Sequence, residues 1–283
     1  MQTSHHSIAL YSLLQQKGLL VPPPLWTSRH LDILGCQFEE IRSLPGSAAD
    51  THTSTLSSVE PKSKDDSSSD AACLARCGAV LIKLFTLIDI LDYEGSPLKT
   101  RKTGRINFYF AGRVVHRLEC ATFWRRLQDS QSEHSAADLL VGYLDYNDLA
   151  GYRRECAQER RARRLGHTPV VHRSAGENRL LTRDWKSDPY LVCVLLSLGQ
   201  LQRRLRHPKH QNTYASRLLI TNAYDTQFIY LYEVQIPKEI LRALDSPNTA
   251  NCVKWPPVRR SRIPFQPYDT FQRRLEGVLL EEK

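Results

Sequence analysis

No apolar run in this chain reaches the roughly 18–20 residues that a membrane-spanning helix requires. The most hydrophobic segment, residues 71–92, is interrupted by Arg76, Lys83 and Asp89. There is no Gly-rich phosphate loop, no Gly-x-Ser-x-Gly turn and no His-Glu-x-x-His pair, so the common phosphate-cradling, serine-hydrolase and zinc-protease signatures are excluded. No secretory leader is expected, because His5 and His6 come early and Gln15, Gln16 and Lys17 fall within the apolar part. The seven cysteines, Cys36, Cys73, Cys77, Cys120, Cys156, Cys193 and Cys252, are odd in number and mostly far apart. Cys73 and Cys77 have no second close pair to complete a zinc site, and the ten histidines show no ligand spacing. Neither a metal nor a cofactor is expected. Unpaired thiols in a chain of this size point to an intracellular location, cytoplasmic or nuclear.

What is present is ordinary in kind and uneven in distribution. Hydrophobic residues make up 41% of the 283 and charged residues 24%, values typical of a globular protein. The formal charge is +9. Residues 1–150 hold 15 lysines and arginines against 17 acids, a net of −2, whereas residues 151–283 hold 24 against 13, a net of +11. The positive field therefore belongs to the second half, where it would attract phosphates, anionic lipid or an acidic protein, or simply solvate a basic face.

Four segments follow from the pattern. Residues 1–44 mix a short helical stripe (Ile8, Leu10, Tyr11, Leu13, Leu14) with the stiff Val21-Pro22-Pro23-Pro24 break. Residues 45–70 are rich in Ser, Thr, Asp and Ala and read as a disordered linker. Residues 71–165 read as a helical region containing one strand or hairpin. A long helix capped by Asp70 runs to about Asp92, apolar on most of its circumference and so expected between layers. Arg105 to Val115 is extended, and Leu118 to Leu127 and Ala136 to Arg164 are helical.

Residues 177–283 carry the clearest local signals. Asp188-Pro189 starts a helix with Tyr190, Leu191, Val194, Leu195, Leu198, Leu201 and Leu205 along its stripe, Gly199 marking a weak or closely packed point. Ser216 to Tyr224 is apolar enough for an interior strand. Phe228 to Ile236 alternates strictly, and the polar break between the two implies an antiparallel hairpin. A short helix follows Pro237. Three prolines confine residues 252–265 to a sheet edge or an irregular path. Pro267 opens a terminal helix. The expected fold is α+β, with a mostly helical N-terminal half and a small C-terminal sheet containing the hairpin, packed by helices.

Three pieces of that region, Asp188-Pro189-Tyr190-Leu191-Val192, Phe228-Ile229-Tyr230-Leu231-Tyr232 with Ile236-Pro237, and Pro267-Tyr268-Asp269-Thr270-Phe271, occur in one order. The order resembles the C-terminal pattern of a group of uncharacterised proteins from filamentous ascomycete fungi. The resemblance implies lineage and fold over roughly the last hundred residues and supplies no catalytic residues.

Two kinds of candidate residue remain. Arg153, Arg154, Arg160, Arg161, Arg163 and Arg164 lie on one helix with only Glu155 and Glu159 among them, and Arg203, Arg204, Arg259 and Arg260 add to the basic surface. They suit contact with an acidic protein or nucleic acid. A solvated helix face with Glu–Arg pairs is the plainer account. Asp225 in the hairpin turn and Glu233 with Gln235 on one strand face invite comparison with restriction-endonuclease-like nucleases, where acids hold a divalent metal and a neighbouring lysine stabilises developing negative charge. Gln235 stands where such sites use lysine, and Asp225 has a turn-forming role of its own. The expected function is a non-catalytic interaction protein, with a divergent metal-dependent nuclease as the alternative.

Overall fold

The computed structural model describes residues 21–41, 64–126, 140–165, 184–205, 212–247 and 254–281. Its strands are β1 (Phe38–Glu40), β2 (Leu98–Phe110), β3 (Arg113–Arg125), β4 (Leu140–Asp145), β5 (Thr213–Asn222), β6 (Asp225–Pro237) and β7 (Val258–Pro264). Its helices are α1 (Ser28–Leu34), α2 (Lys64–Arg76), α3 (Val80–Leu91), α4 (Tyr146–Leu165), α5 (Pro189–Leu205), α6 (Lys238–Asp245) and α7 (Phe271–Leu280). No helix of the described residues is long and apolar enough to cross a membrane.

All seven strands join one mixed sheet in the order β1-β7-β6-β5-β4-β3-β2. The pairs β1–β7 and β4–β5 are parallel and the others antiparallel. The hairpin β5–β6 forms as its alternation requires. Phe228, Tyr230, Tyr232, Val234 and Ile236 face the core beneath α5, while Ile229 and Leu231 face the core beneath α2, α3 and α7. Helices therefore cover both faces, and the central strands are buried on both sides.

α5 is the organising element. Of its 17 residues 13 are buried, which a helix lying on one face of a flat sheet could not achieve. The long hairpin β2–β3 supplies the second wall. The Gln200 side chain accepts from the Tyr109 amide at 2.9 Å and donates to its carbonyl at 2.8 Å, and the Ala111 amide at the hairpin tip donates to Leu244 O of α6 at 2.8 Å. Ala111 and Gly112, with φ of 50° and 73°, give the double left-handed turn that matches strand twist. On the other side α5 approaches the sheet closely: a Cβ on Gly199 would lie 2.8 Å from Ile236 Cδ1, and one on Gly142 2.9 Å from Leu198 Cδ1.

Several expectations are corrected. The sheet is large and mixed, and the N-terminal half is not mostly helical, since β1 to β4 all precede residue 150. Leu118 to Arg125 belongs to strand β3, and Leu140 to Asp145 to strand β4. Both are buried on two faces, so their near-continuous apolar runs mimic helical sequence. The single helix proposed from Ala71 to Asp92 is two helices, α2 and α3, broken at Cys77-Gly78-Ala79. Asp70 lies within α2, which reaches back to Lys64 into the expected linker because Ala71, Leu74 and Ala75 are anchored in the core. The rest of the expected linker, residues 45–63, lies outside the described residues, as do residues 1–20. α3 is not enclosed: Leu81, Ile82 and Phe85 are exposed at 66%, 49% and 61%. β1 covers only the start of β7, Val258 to Arg260, so among the described residues the strand forms the sheet edge from Ser261 to Pro264, and residues 254–257 before it are irregular.

Candidate functional site

The ten arginines proposed as a basic surface separate into two sets. Arg153 is fully buried. Its Nε donates to Pro24 O at 2.8 Å, Nη2 donates to Trp26 O, and Nη1 pairs with the Asp188 carboxylate. Asp188 also accepts the Tyr146 hydroxyl at 3.0 Å and the Tyr190 amide at 2.8 Å, the latter being the helix cap read from the sequence. Arg260 is likewise buried and bonds Glu40 at 3.2 Å. Arg203 pairs with Asp245, and Arg204 lies over the Tyr109 ring, 3.3 Å from its centroid. These side chains fasten segments together. Arg154, Arg161, Arg163 and Arg164 are exposed on α4 and Arg160 is half-exposed, with Arg163 and Glu159 3.6 Å apart. Arg259 is exposed on β7.

A second feature crosses four strands. Arg217 on β5, Glu233 on β6, Arg259 on β7 and Glu39 on β1 stand in successive register, a row of alternating charge on the face opposite α5. Arg217 Nε meets Glu233 Oε1 at 3.0 Å. The rest of the Arg217 guanidinium donates to Leu279 O and, at 2.9 Å, to Glu281 O, tying down the carbonyl end of α7. Beside this row lies an open cleft of about 120 Å³ lined by Arg217, Glu233, Gln235, Pro257 and Arg259.

The proposed metal-site residues do not all meet there. Glu233 and Gln235 border the cleft, but Asp225 sits eight residues back along the same strand, about 26 Å at ~3.3 Å per residue. It accepts the amides of Gln227 at 3.1 Å and Phe228 at 3.2 Å and the hydroxyl of Tyr230, which completes its turn role. Among the described residues no group of three or more His, Cys, Asp and Glu side chains is placed to hold a metal ion.

Two buried polar clusters escaped sequence reasoning. Lys83 of α3 donates to Asp145 Oδ2 at 3.1 Å, both side chains 1% exposed. Asp145 also accepts from Thr221 at 2.9 Å and, through Oδ1, from the Asn147 amide at 2.9 Å, so it ends β4, starts α4 and holds α3 at once. Burial pushes the adjoining Tyr143 hydroxyl well above the usual phenol range. His116 lies 2.7 Å from the Tyr190 hydroxyl, and burial lowers its pKa to about 4, leaving it neutral. A lysine inside an apolar helix stripe was the visible signal for the first cluster. Nothing local announced the second.

No family model matches the chain, and no curated protein or solved structure is found to be similar to it.

Proposed function

We propose that the chain is a non-catalytic interaction protein that docks on an acidic protein or nucleic-acid partner through the arginine face of α4, inside the cell, in the cytoplasm or nucleus. The lineage we assign is the fungal group that its C-terminal third resembles. The observation that carries the reading is the arginine face itself: Arg154, Arg161, Arg163 and Arg164 stand exposed with Arg160 beside them on one helix, whereas Arg153, Arg203 and Arg260 take part in internal pairs. Arg160, Arg161, Arg163 and Arg164 fall within five residues, with Arg154 on the same helix, and give that surface a dense positive charge, while exposed arginines elsewhere, such as Arg105, Arg113 and Arg117, are spaced along strands. The separation of Asp225 from Glu233 gives the nuclease reading no comparable support.

The test compares the full chain with an Arg160→Gln/Arg161→Gln/Arg163→Gln/Arg164→Gln variant, using a DNA duplex, an RNA hairpin and polyglutamate as probes over a salt series. Tight binding at low salt, lost in the variant, is the expected result. With a nucleic acid the salt slope should fall by about 0.9 per phosphate contact removed. Equal binding by variant and wild type, or none by either at low salt, overturns the reading. Magnesium-dependent cleavage abolished by both Asp225→Ala and Glu233→Ala would replace it with the nuclease.

A further inference from the structure

The outer edge of β7 is built for an acidic strand and already holds a minimal one. β7 places Arg259, Arg260 and Arg262 within its seven residues. β1 lies along it in parallel register, Phe38 beside Val258, Glu39 beside Arg259 and Glu40 beside Arg260. The Val258 amide donates to Gln37 O and the Ile41 amide to Arg260 O, each at 2.8 Å. A single carboxylate, that of Glu40, spans two arginines, 3.2 Å from Arg260 Nη2 and 3.3 Å from Arg262 Nε. Phe38 meets the Tyr232 ring edge-on at 6.1 Å. Recognition is therefore by backbone pairing, one aromatic anchor and charge.

β1 is held lightly for so specific a fit. It is three residues long and both glutamates are exposed. The Arg262–Glu40 pair is open to solvent and screened by it, while Arg260 beneath is buried but meets a half-exposed carboxylate. What keeps the strand in place is its tether, since Leu31, Leu34 and Cys36 just before it are buried in the core and hold its local concentration high. β7 continues beyond Arg260 to Pro264, and among the described residues no strand lies on its outer side there. A longer acidic segment would pair with more of β7 than β1 does.

We infer that the outer edge of β7 is a docking groove for an extended acidic peptide with an aromatic residue ahead of its acids, and that β1 is an internal occupant which such a peptide displaces. The mode is strand addition: the backbone gives affinity, and Arg259, Arg260 and Arg262 with Tyr232 give selectivity. Because β1 competes, apparent affinity is reduced by the fraction of molecules in which the groove is open. This groove is distinct from the arginine face of α4.

The test uses the full chain and a fluorescein-labelled peptide of residues 35–41, followed by anisotropy. A Phe38→Ala/Glu40→Ala variant should bind the peptide at least about tenfold more tightly than wild type, because its own strand no longer competes. Adding Arg260→Ala should remove that gain, and a peptide with both glutamates changed to lysine should not bind. Equal affinity of variant and wild type, or equal binding of the glutamate and lysine peptides, overturns the proposal. A second measurement does not depend on the variant's folding. Saturating peptide should speed hydrogen exchange at the Ile41 amide of the wild type while the amides of β7 stay protected, and an unchanged Ile41 amide is equally fatal. The α4 quadruple glutamine variant should bind the peptide normally, and loss of binding there would move the site to the helix.

Discussion

Replacing Arg153 with alanine should cost about 3–5 kcal/mol, far more than loss of a surface arginine. Its guanidinium is fully buried and saturated by the Pro24 and Trp26 carbonyls and the Asp188 carboxylate. Truncation strands the carboxylate in a dry site with only the Tyr146 hydroxyl and the Tyr190 amide as donors. It also leaves two backbone carbonyls without their donor, at about 1–3 kcal/mol for each one that stays buried and unpaired. Domain stabilities run about 5–15 kcal/mol, so the loss is a large fraction of the total. Urea unfolding at neutral pH reads it as a lowered midpoint. Tryptophan fluorescence is a suitable probe because Trp26 and Trp185 both sit close to this pair. Removing both charges together, as Arg153→Met/Asp188→Asn, should recover much of the loss, since no lone charge remains. A cost below about 1 kcal/mol for Arg153→Ala, or strictly additive costs in the double variant, would refute the assignment.

Gly199→Ala should change stability by no more than about 1 kcal/mol, because the added methyl meets the terminal Cδ1 of Ile236 at 2.8 Å, which can rotate aside, and alanine favours the helix; a much larger loss of melting temperature would show that Ile236 is locked and α5 must lift. His116 titrates at about 4 in the folded chain against an ordinary value of 6.5, so between those two pH values the unfolded chain takes up a proton that the folded chain does not. Stability should therefore fall by about 3 kcal/mol on acidification through that window. A His116→Gln variant should lack that component, and identical pH slopes for the two proteins would remove His116 as its source. Burial raises the thiols of Cys36 and Cys120 to about 12 and pushes that of Cys193 up as well. A thiol reagent at pH 8 should leave all three unmodified in the native protein while reaching partly exposed Cys77, and prompt labelling of Cys120 or Cys193 would contradict their burial.

The C-terminal elements were legible because their signals are local. Asp188-Pro189 sets the start of α5, and strict alternation from Phe228 to Ile236 fixes the faces of β6. β3 and β4 were misread because their pattern depends on the third dimension. Leu118 and Cys120 serve one core and Ala121 and Phe123 the other, so the apolar residues fill a continuous run that periodicity alone reads as helix. β1 was invisible for a different reason: three residues carry no period, and their partner lies more than two hundred positions away. In the candidate sites, the α4 arginines were legible from composition. Arg217 was recoverable in principle, since the hairpin register places it directly opposite Glu233.

The uneven charge of the two halves is in part a device for closing the fold. Arg153 reaches back to Pro24 and Trp26, and Arg260 and Arg262 reach back to Glu40, so basic residues of the second half fix the segment from Pro24 to Glu40 in place. Arg217 closes the carbonyl end of α7 and Arg203 ties α5 to α6. A net charge read from sequence counts such arginines as field when they act as short-range fasteners whose charge is spent on a neighbouring acid or carbonyl. The same short range explains why β1 can be both specific and displaceable. Its arginines are matched to one strand geometry, so a competing acidic strand must reproduce that geometry, whereas a flexible polyanion of equal charge draws on exposed arginines such as those of α4.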